Sequence, residues 1–520
     1  MKGYDSRFTS IESGAYIENR FDDKLSVRFQ PIKVSAESAM ILSKSFPKSP
    51  ILGIVFSILH AMNAGAEKQV FEDFSKDPGW EAVNNRIDPS HTRTTVQDFG
   101  YGPASNHAGG TGPGEIGGRI SRSLTRAYYA KVIQPQTLRN RLTASGKFAV
   151  PAAEGGSAML FGWFNSRSDG WRTPNSLALR LDGNGGKYWV FFEYGTREYG
   201  TGGGETFEGD RYQTTPTPPE KADGTVHEWA LDYDPEGAEG RGGITFTFDG
   251  ETFTAPLAEG HKEQGAVFDR FGILNQMTSG SHMDVYFDDL VLGDAKEDFS
   301  KDPGWAEEGN QVTFKDRAVR PYHDFGYSET DHAGGAKGEL GGIVWRIESN
   351  SPGDAGYYGV PVEKLSLDRE LVASGKVAML RGGADSAALI GWFNSKSFRE
   401  GPVPKNFLGI MVEGPSRVGH YFRPAYSNAK SDQACPAQGP VIRPDGSQHE
   451  WTLRYDPQGA QGRGSIEAVL DGEPISLALQ PGVRADGADF DRFGMLSFLQ
   501  GGNHVVIYFD DLTYTTGIGD

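Results

Sequence analysis

From about residue 67 the chain is written in short alternating runs. Leu177, Leu179 and Leu181 alternate with Ala178, Arg180 and Asp182, and Leu408, Ile410 and Val412 repeat the pattern further on. A period of two puts the leucines on a buried strand face and Arg180 on an open one. Ile244 to Phe248, then Asp249-Gly250, then Glu251 to Thr254 predicts a hairpin around a type I′ turn, and Asp471-Gly472 marks the same turn again. Runs of this kind, broken by Gly, Asp and Pro, fill the chain, and long amphipathic helical stretches are missing. The chain is predicted to be all-β.

The runs also repeat as a block. Glu72-Asp73-Phe74-Ser75-Lys76-Asp77-Pro78-Gly79-Trp80 returns verbatim as Glu297 to Trp305. In the same order, Asp98-Phe99-Gly100-Tyr101 returns at Asp324, Gly162-Trp163-Phe164-Asn165-Ser166 at Gly391, and Tyr286-Phe287-Asp288-Asp289-Leu290 at Tyr508. Each copy exceeds 200 residues, so these are duplicated domains rather than solenoid units. The expected division is 67–295 for copy one and 296–520 for copy two. Trp163/Trp392 and Trp229/Trp451 recur beside small residues and are expected in the cores.

Asp223-Gly224, His227-Glu228-Trp229, Tyr233-Asp234 and the strand ending at Asp249-Gly250 resemble a run found in laminin-G and pentraxin-like domains. Copy two repeats it at Asp445-Gly446, His449, Trp451, Tyr455-Asp456 and Asp471-Gly472. The position usually held by Trp before the His is Val226 or Gln448, so no subfamily is singled out. The resemblance implies two tandem concanavalin A-like (lectin/glucanase) jelly-roll sandwiches, in which first and last strands pair. Fold alone does not fix function.

Length, charge and cysteine narrow the classes. The 520 residues suit two full cores, and a formal charge of −18 argues against nucleic acid or anionic lipid as partner. Cys435 is the only cysteine, so no intramolecular disulfide forms, and it reads as a loop thiol rather than a nucleophile. The apolar run Ile51 to Leu59 is too short for the roughly 18 residues that span a bilayer. Lys44 and Lys48 precede it and Ala64-Gly65-Ala66 follows, which is the build of a secretory signal peptide. The expectation is a signal at 40–66 starting at Met40, with 1–39 a mis-assigned start or disordered extension. The mature protein then begins near Glu67 and is exported to periplasm, cell surface or medium; it is not an integral membrane protein.

Candidate chemistry gathers where the copies differ. Trp189, Phe191 and Glu193 share one strand face in copy one, and Arg180 of the neighbouring run becomes Met411 in copy two. Copy one continues through Arg197, Tyr199, Glu208, Asp210, Arg211 and Tyr212, where copy two has a different loop, and its strand Gly419 to Pro424 is interrupted by proline. Aromatic rings cover the apolar face of a sugar while Arg and carboxylates take its hydroxyls. Arg180, Trp189, Glu193, Arg197, Tyr199, Arg211 and Tyr212 are therefore the expected ligand residues, on copy one rather than copy two. The Glu-x-Asp-x-x-Glu run of the glucanases that the fold resembles is missing.

The resemblance also implies metal at the seam between first and last strands. There Glu72 or Asp73 would meet Asp288 or Asp289, and Glu297 or Asp298 would meet Asp510 or Asp511, giving Asp73, Asp289, Asp298 and Asp511 as ligands for structural calcium. The overall reading is a secreted glycan- or polysaccharide-binding protein. The alternatives are a glycoside hydrolase or polysaccharide lyase using Glu193, Glu208, Asp210, Arg211 and Tyr212, and a laminin-G-like adhesion module.

Overall fold

The alternating runs become antiparallel strands. The computed structural model describes residues 67–86, 93–170, 172–203, 218–316, 322–383, 385–414 and 420–518. The readings of 1–39 and of a signal at 40–66 thus lie outside the described residues. The Asp249-Gly250 hairpin forms as expected: Phe248 pairs with Glu251, and both turn residues take positive φ, 47° and 82°. Trp163, Trp229, Trp392 and Trp451 are all buried.

The chain is all-β and forms two jelly-roll sandwiches, each of two antiparallel sheets. The first packs an eight-stranded sheet containing Ser157–Phe164, Ser176–Gly183 and Lys187–Gly195 against a nine-stranded one containing Leu142–Ala153, Val226–Asp234 and His282–Leu292. The second packs two eight-stranded sheets whose central strands are the repeats of these. Apolar side chains of the inward faces fill one main cluster per sandwich.

The opening segments are exchanged. Expected pairing within a copy is replaced by pairing across copies: Glu67–Glu72 runs along the closing strand of copy two, with Glu72 opposite Leu512. Ala295–Glu297 runs along the closing strand of copy one, with Glu297 opposite Leu290. Glu81–Val83 then extends a second-sandwich sheet beside Tyr358, and Ala306–Glu308 extends a first-sandwich sheet beside Tyr129. Trp80 stacks on Tyr358 with ring centroids 5.8 Å apart, and Trp305 on Tyr129 at 5.7 Å.

The cause is the linker. Only Gly293 and Asp294 separate the closing strand of copy one from the opening strand of copy two, and Gly293 has φ 58°. A two-residue loop makes a hairpin, so the opening strand of copy two must fold back onto copy one. The slot left in the second sandwich is taken by the N-terminal copy of the same nine residues. The repeat border at 295/296 therefore does not divide the sandwiches in space. Residues 93–316 hold the first sandwich entire, and the second is built from 67–86 together with 322–518.

Candidate functional site

Pairing register places the copy-one candidates. Arg180 lies opposite Phe191, Asp182 opposite Trp189 and Ala178 opposite Glu193, all on one face of the sheet, and Trp189 and Phe191 pack with the main core cluster. The expected open shelf is not there. Arg180, Trp189 and Glu193 keep only 2%, 8% and 1% of their exposure. A second apolar cluster, which includes Tyr128, Leu160, Phe164, Leu274 and Met277, covers part of this face.

Within the covered face Arg180 grips Asp182 with two nitrogens at 3.2 and 2.8 Å and also bonds Glu193. Arg122 reaches Asp182 at 3.0 Å and Arg172 reaches Glu193 at 2.8 Å. Burial alone would weaken the hold of Arg180 on its proton, but Asp182 and Glu193 outweigh that and raise its pKa above the usual guanidinium range. Two acids threaded on three arginines make a buried ion-pair network, with Glu193 Oε1 lacking a partner among the described residues, not a pair of carboxyls facing an open groove.

Copy two has not lost its polar groups here, as the Arg180-to-Met411 difference led one to expect. Its arginine has crossed to the neighbouring strand: Arg423 stands opposite Met411, bonds Glu413 and donates to the Pro436 and Ala437 carbonyls at 2.9 and 3.0 Å. Arg346 adds a looser contact to Glu413 at 3.6 Å. The strand His420–Ser427 runs unbroken through Pro424, and His420 is buried against Ser386 at 2.7 Å.

The seam acids fall into different pairs from those expected, because of the exchange: Asp73 lies on the side of Asp511 and Asp298 on that of Asp289. Asp289 bonds Lys147 at 2.8 Å and Asp511 bonds Lys376 at 2.7 Å, while Asp73 and Asp298 cap the backbone of Ser75 and Ser300. Glu115 accepts from His107 and Ala108 backbone N–H and touches His107 Nδ1, a loop anchor. Among the described residues no three His, Cys, Asp or Glu side chains gather as a metal cage.

Behind each seam one acid is buried. Burial pushes Asp288 up to about 6, with Asp289, Glu115 and Asp298 adding repulsion, and its Oδ2 has no partner among the described residues. Burial lifts Asp510 to about 6 likewise, beside Asp511 and Glu339 and with Lys376 opposing. Between the ordinary value of 3.8 and about 6 the folded chain holds more protons than the unfolded one. Stability from these groups is thus full at the acid end of that window and lost as pH rises through it. The Asp288→Asn/Asp510→Asn protein should melt higher than wild type at pH 7, and the two should converge near pH 4. Calcium held at the seam would reverse this: chelator, and the Asn changes, would both lower the melting temperature.

The remaining candidates lead elsewhere. Glu208, Asp210, Arg211 and Tyr212 lie outside the described residues. Arg197 and Tyr199 face a cleft of about 350 Å³ between the two sandwiches. Its first-sandwich wall carries Asn165, Arg167, Ser168 and Asn175, and its second-sandwich wall Leu380, Pro444, Asp445 and Gly446. The wall loop is fixed by Ser166, whose N–H and hydroxyl both bond Asp269 at 2.7 and 2.8 Å. Across the cleft Tyr199 donates to the Pro444 carbonyl at 3.2 Å, and Arg381 of copy two bonds Asp169 at 2.5 Å.

No protein-family model and no curated protein matches the chain. Solved structures similar to it include mouse laminin alpha1 chain domains LG4-5, at 11% identity and TM-score 0.23, covering 79% of this chain and 93% of that one. The Emp47p carbohydrate recognition domain is similar at 11% identity and TM-score 0.24, covering 39% and 92%. An endo-1,3-beta-glucanase from Streptomyces sioyaensis is similar at 14% identity and TM-score 0.22, covering 44% and 98%. At such scores the reading of function rests on the geometry above.

Proposed function

We propose that this is an exported carbohydrate-binding protein with a polysaccharide as ligand, which it engages through Arg197 and Tyr199 of copy one. The supporting observation is the polar cleft: these two candidates line it, while Arg180, Trp189 and Glu193 are sequestered. Amide, hydroxyl and guanidinium groups around one aromatic residue suit a ring bearing many hydroxyls. A glycan array probed with the full chain tests this. One lost hydrogen bond is worth about 1 kcal/mol, so Arg197→Ala should weaken binding about fivefold. Release of reducing ends from a bound polysaccharide would instead make the protein a hydrolase or lyase. An array without any bound glycan would leave the protein-binding, laminin-G-like alternative.

A further inference from the structure

The cleft has an electrostatic character that its polar lining alone does not imply. Two guanidiniums face it in a chain whose formal charge is −18. Arg167 is exposed, and among the described residues no carboxylate pairs with it. Arg197 stays 65% exposed, with only a loose 3.8 Å approach to Glu198, an acid also engaged at 3.5 Å by Arg443.

Each acid of the cleft has a partner on one oxygen. Asp169 is held by Arg381, and Asp445 accepts from the backbone and hydroxyl of Ser447 at 2.9 and 2.6 Å. The cleft thus presents two guanidiniums with no close carboxylate partner, beside Asp169, which Arg381 balances, and Asp445, which keeps its charge but is turned to Ser447. Guanidiniums left open in this way match carboxylate or sulfate oxygens, for which arginine supplies paired donors in a fixed plane. The negative field of the whole molecule works against densely charged polyanions, so the fitting ligand carries isolated anionic groups on an otherwise neutral, hydroxylated frame.

Resting on the carbohydrate reading, we propose that the cleft binds an acidic saccharide, its carboxylate or sulfate held by Arg167 and Arg197 of copy one and its ring against the Leu380–Asp445 wall of copy two. The duplication then serves the site directly, because neither sandwich alone has both walls. Tyr199, bonded to the Pro444 carbonyl, fixes their spacing.

The test is calorimetric titration of the full chain with uronate-bearing and sulfated oligosaccharides beside their carboxyl-reduced and desulfated counterparts. Acidic forms should bind, their affinity should fall with added salt, and Arg167→Ala or Arg197→Ala should each weaken them about tenfold. Leu380→Glu, which puts a negative charge on the copy-two wall, should weaken acidic forms similarly. Melting curves and circular dichroism of each variant, matched to wild type, separate lost binding from lost fold. Equal binding of acidic and neutral forms overturns the anionic claim and leaves the carbohydrate reading standing. Acidic binding indifferent to Leu380→Glu overturns the shared cleft. Binding of neither form overturns both this inference and the reading beneath it.

Discussion

Deleting residues 67–86 should unfold the second sandwich and leave the first folded. The deleted segment carries Phe74 and Trp80, buried at 0% and 7% exposure in the second core, and the strands that close two of its sheets. Truncating a buried Phe or Trp costs about 3–5 kcal/mol, and a whole domain is stable by about 5–15 kcal/mol, so losing both rings consumes most of the margin. The single change Trp80→Ala checks this with less disruption. Amide exchange should accelerate in Tyr357–Ser366, beside which Trp80 packs, and stay slow in Tyr128–Thr137. Trp305→Ala should do the reverse. Acceleration in the same copy as each mutation would show that the opening strands are not exchanged. As a corollary, residues 93–316 expressed alone should melt cooperatively, whereas 67–295 lacks Phe299 and Trp305 and should not.

Arg180→Met should be the most destabilising change on the covered face of copy one. It installs the residue that copy two carries, yet leaves Asp182 and Glu193 buried with only Arg122 and Arg172 to hold them. Breaking a buried ion pair from one side costs about 3–5 kcal/mol, and the lower end applies because each acid keeps a partner. The double change Arg180→Met/Phe191→Arg reproduces the copy-two arrangement, where Arg423 faces Met411 and bonds Glu413 from the opposite strand. It should recover part of the loss in a urea titration. No recovery would mean that the two copies satisfy their acids by unrelated packing.

The sequence carried the strands, the hairpins, the duplication and the central tryptophans, because each is written in local spacing. Alternation also told correctly which residues of Ser176–Gly183 share a face. It could not tell that both faces are covered, since cover is supplied by segments distant in sequence such as Tyr128 and Met277. A subtler signal was available. Arg122 and Arg346 stand at matched places after Glu115 and Glu339, marking a cation kept on the covered face of both copies. The exchange was also within reach, given that two residues join the copies. Assuming that each repeat folds on itself hid it. The cleft was out of reach, for it depends on how Pro444 and Tyr199 meet across two domains.

The exchange sets an order on the making of the molecule. Residues 93–316 leave the ribosome as one block and find every strand partner within it, so the first sandwich can complete early. Of the described strands Glu67–Glu72 is made first and waits longest, since Leu512, the neighbour of Glu72, emerges some 440 residues later. Until then the second sandwich has an unpaired edge and an empty slot for Phe74 and Trp80. A truncated or stalled chain is left displaying that edge and the unburied segment, the features by which proteases and chaperones recognise unfinished protein. Pairing Glu67–Glu72 with the strand around Leu512 thus makes synthesis of the second sandwich's closing strand a condition for covering the segment at 67–86.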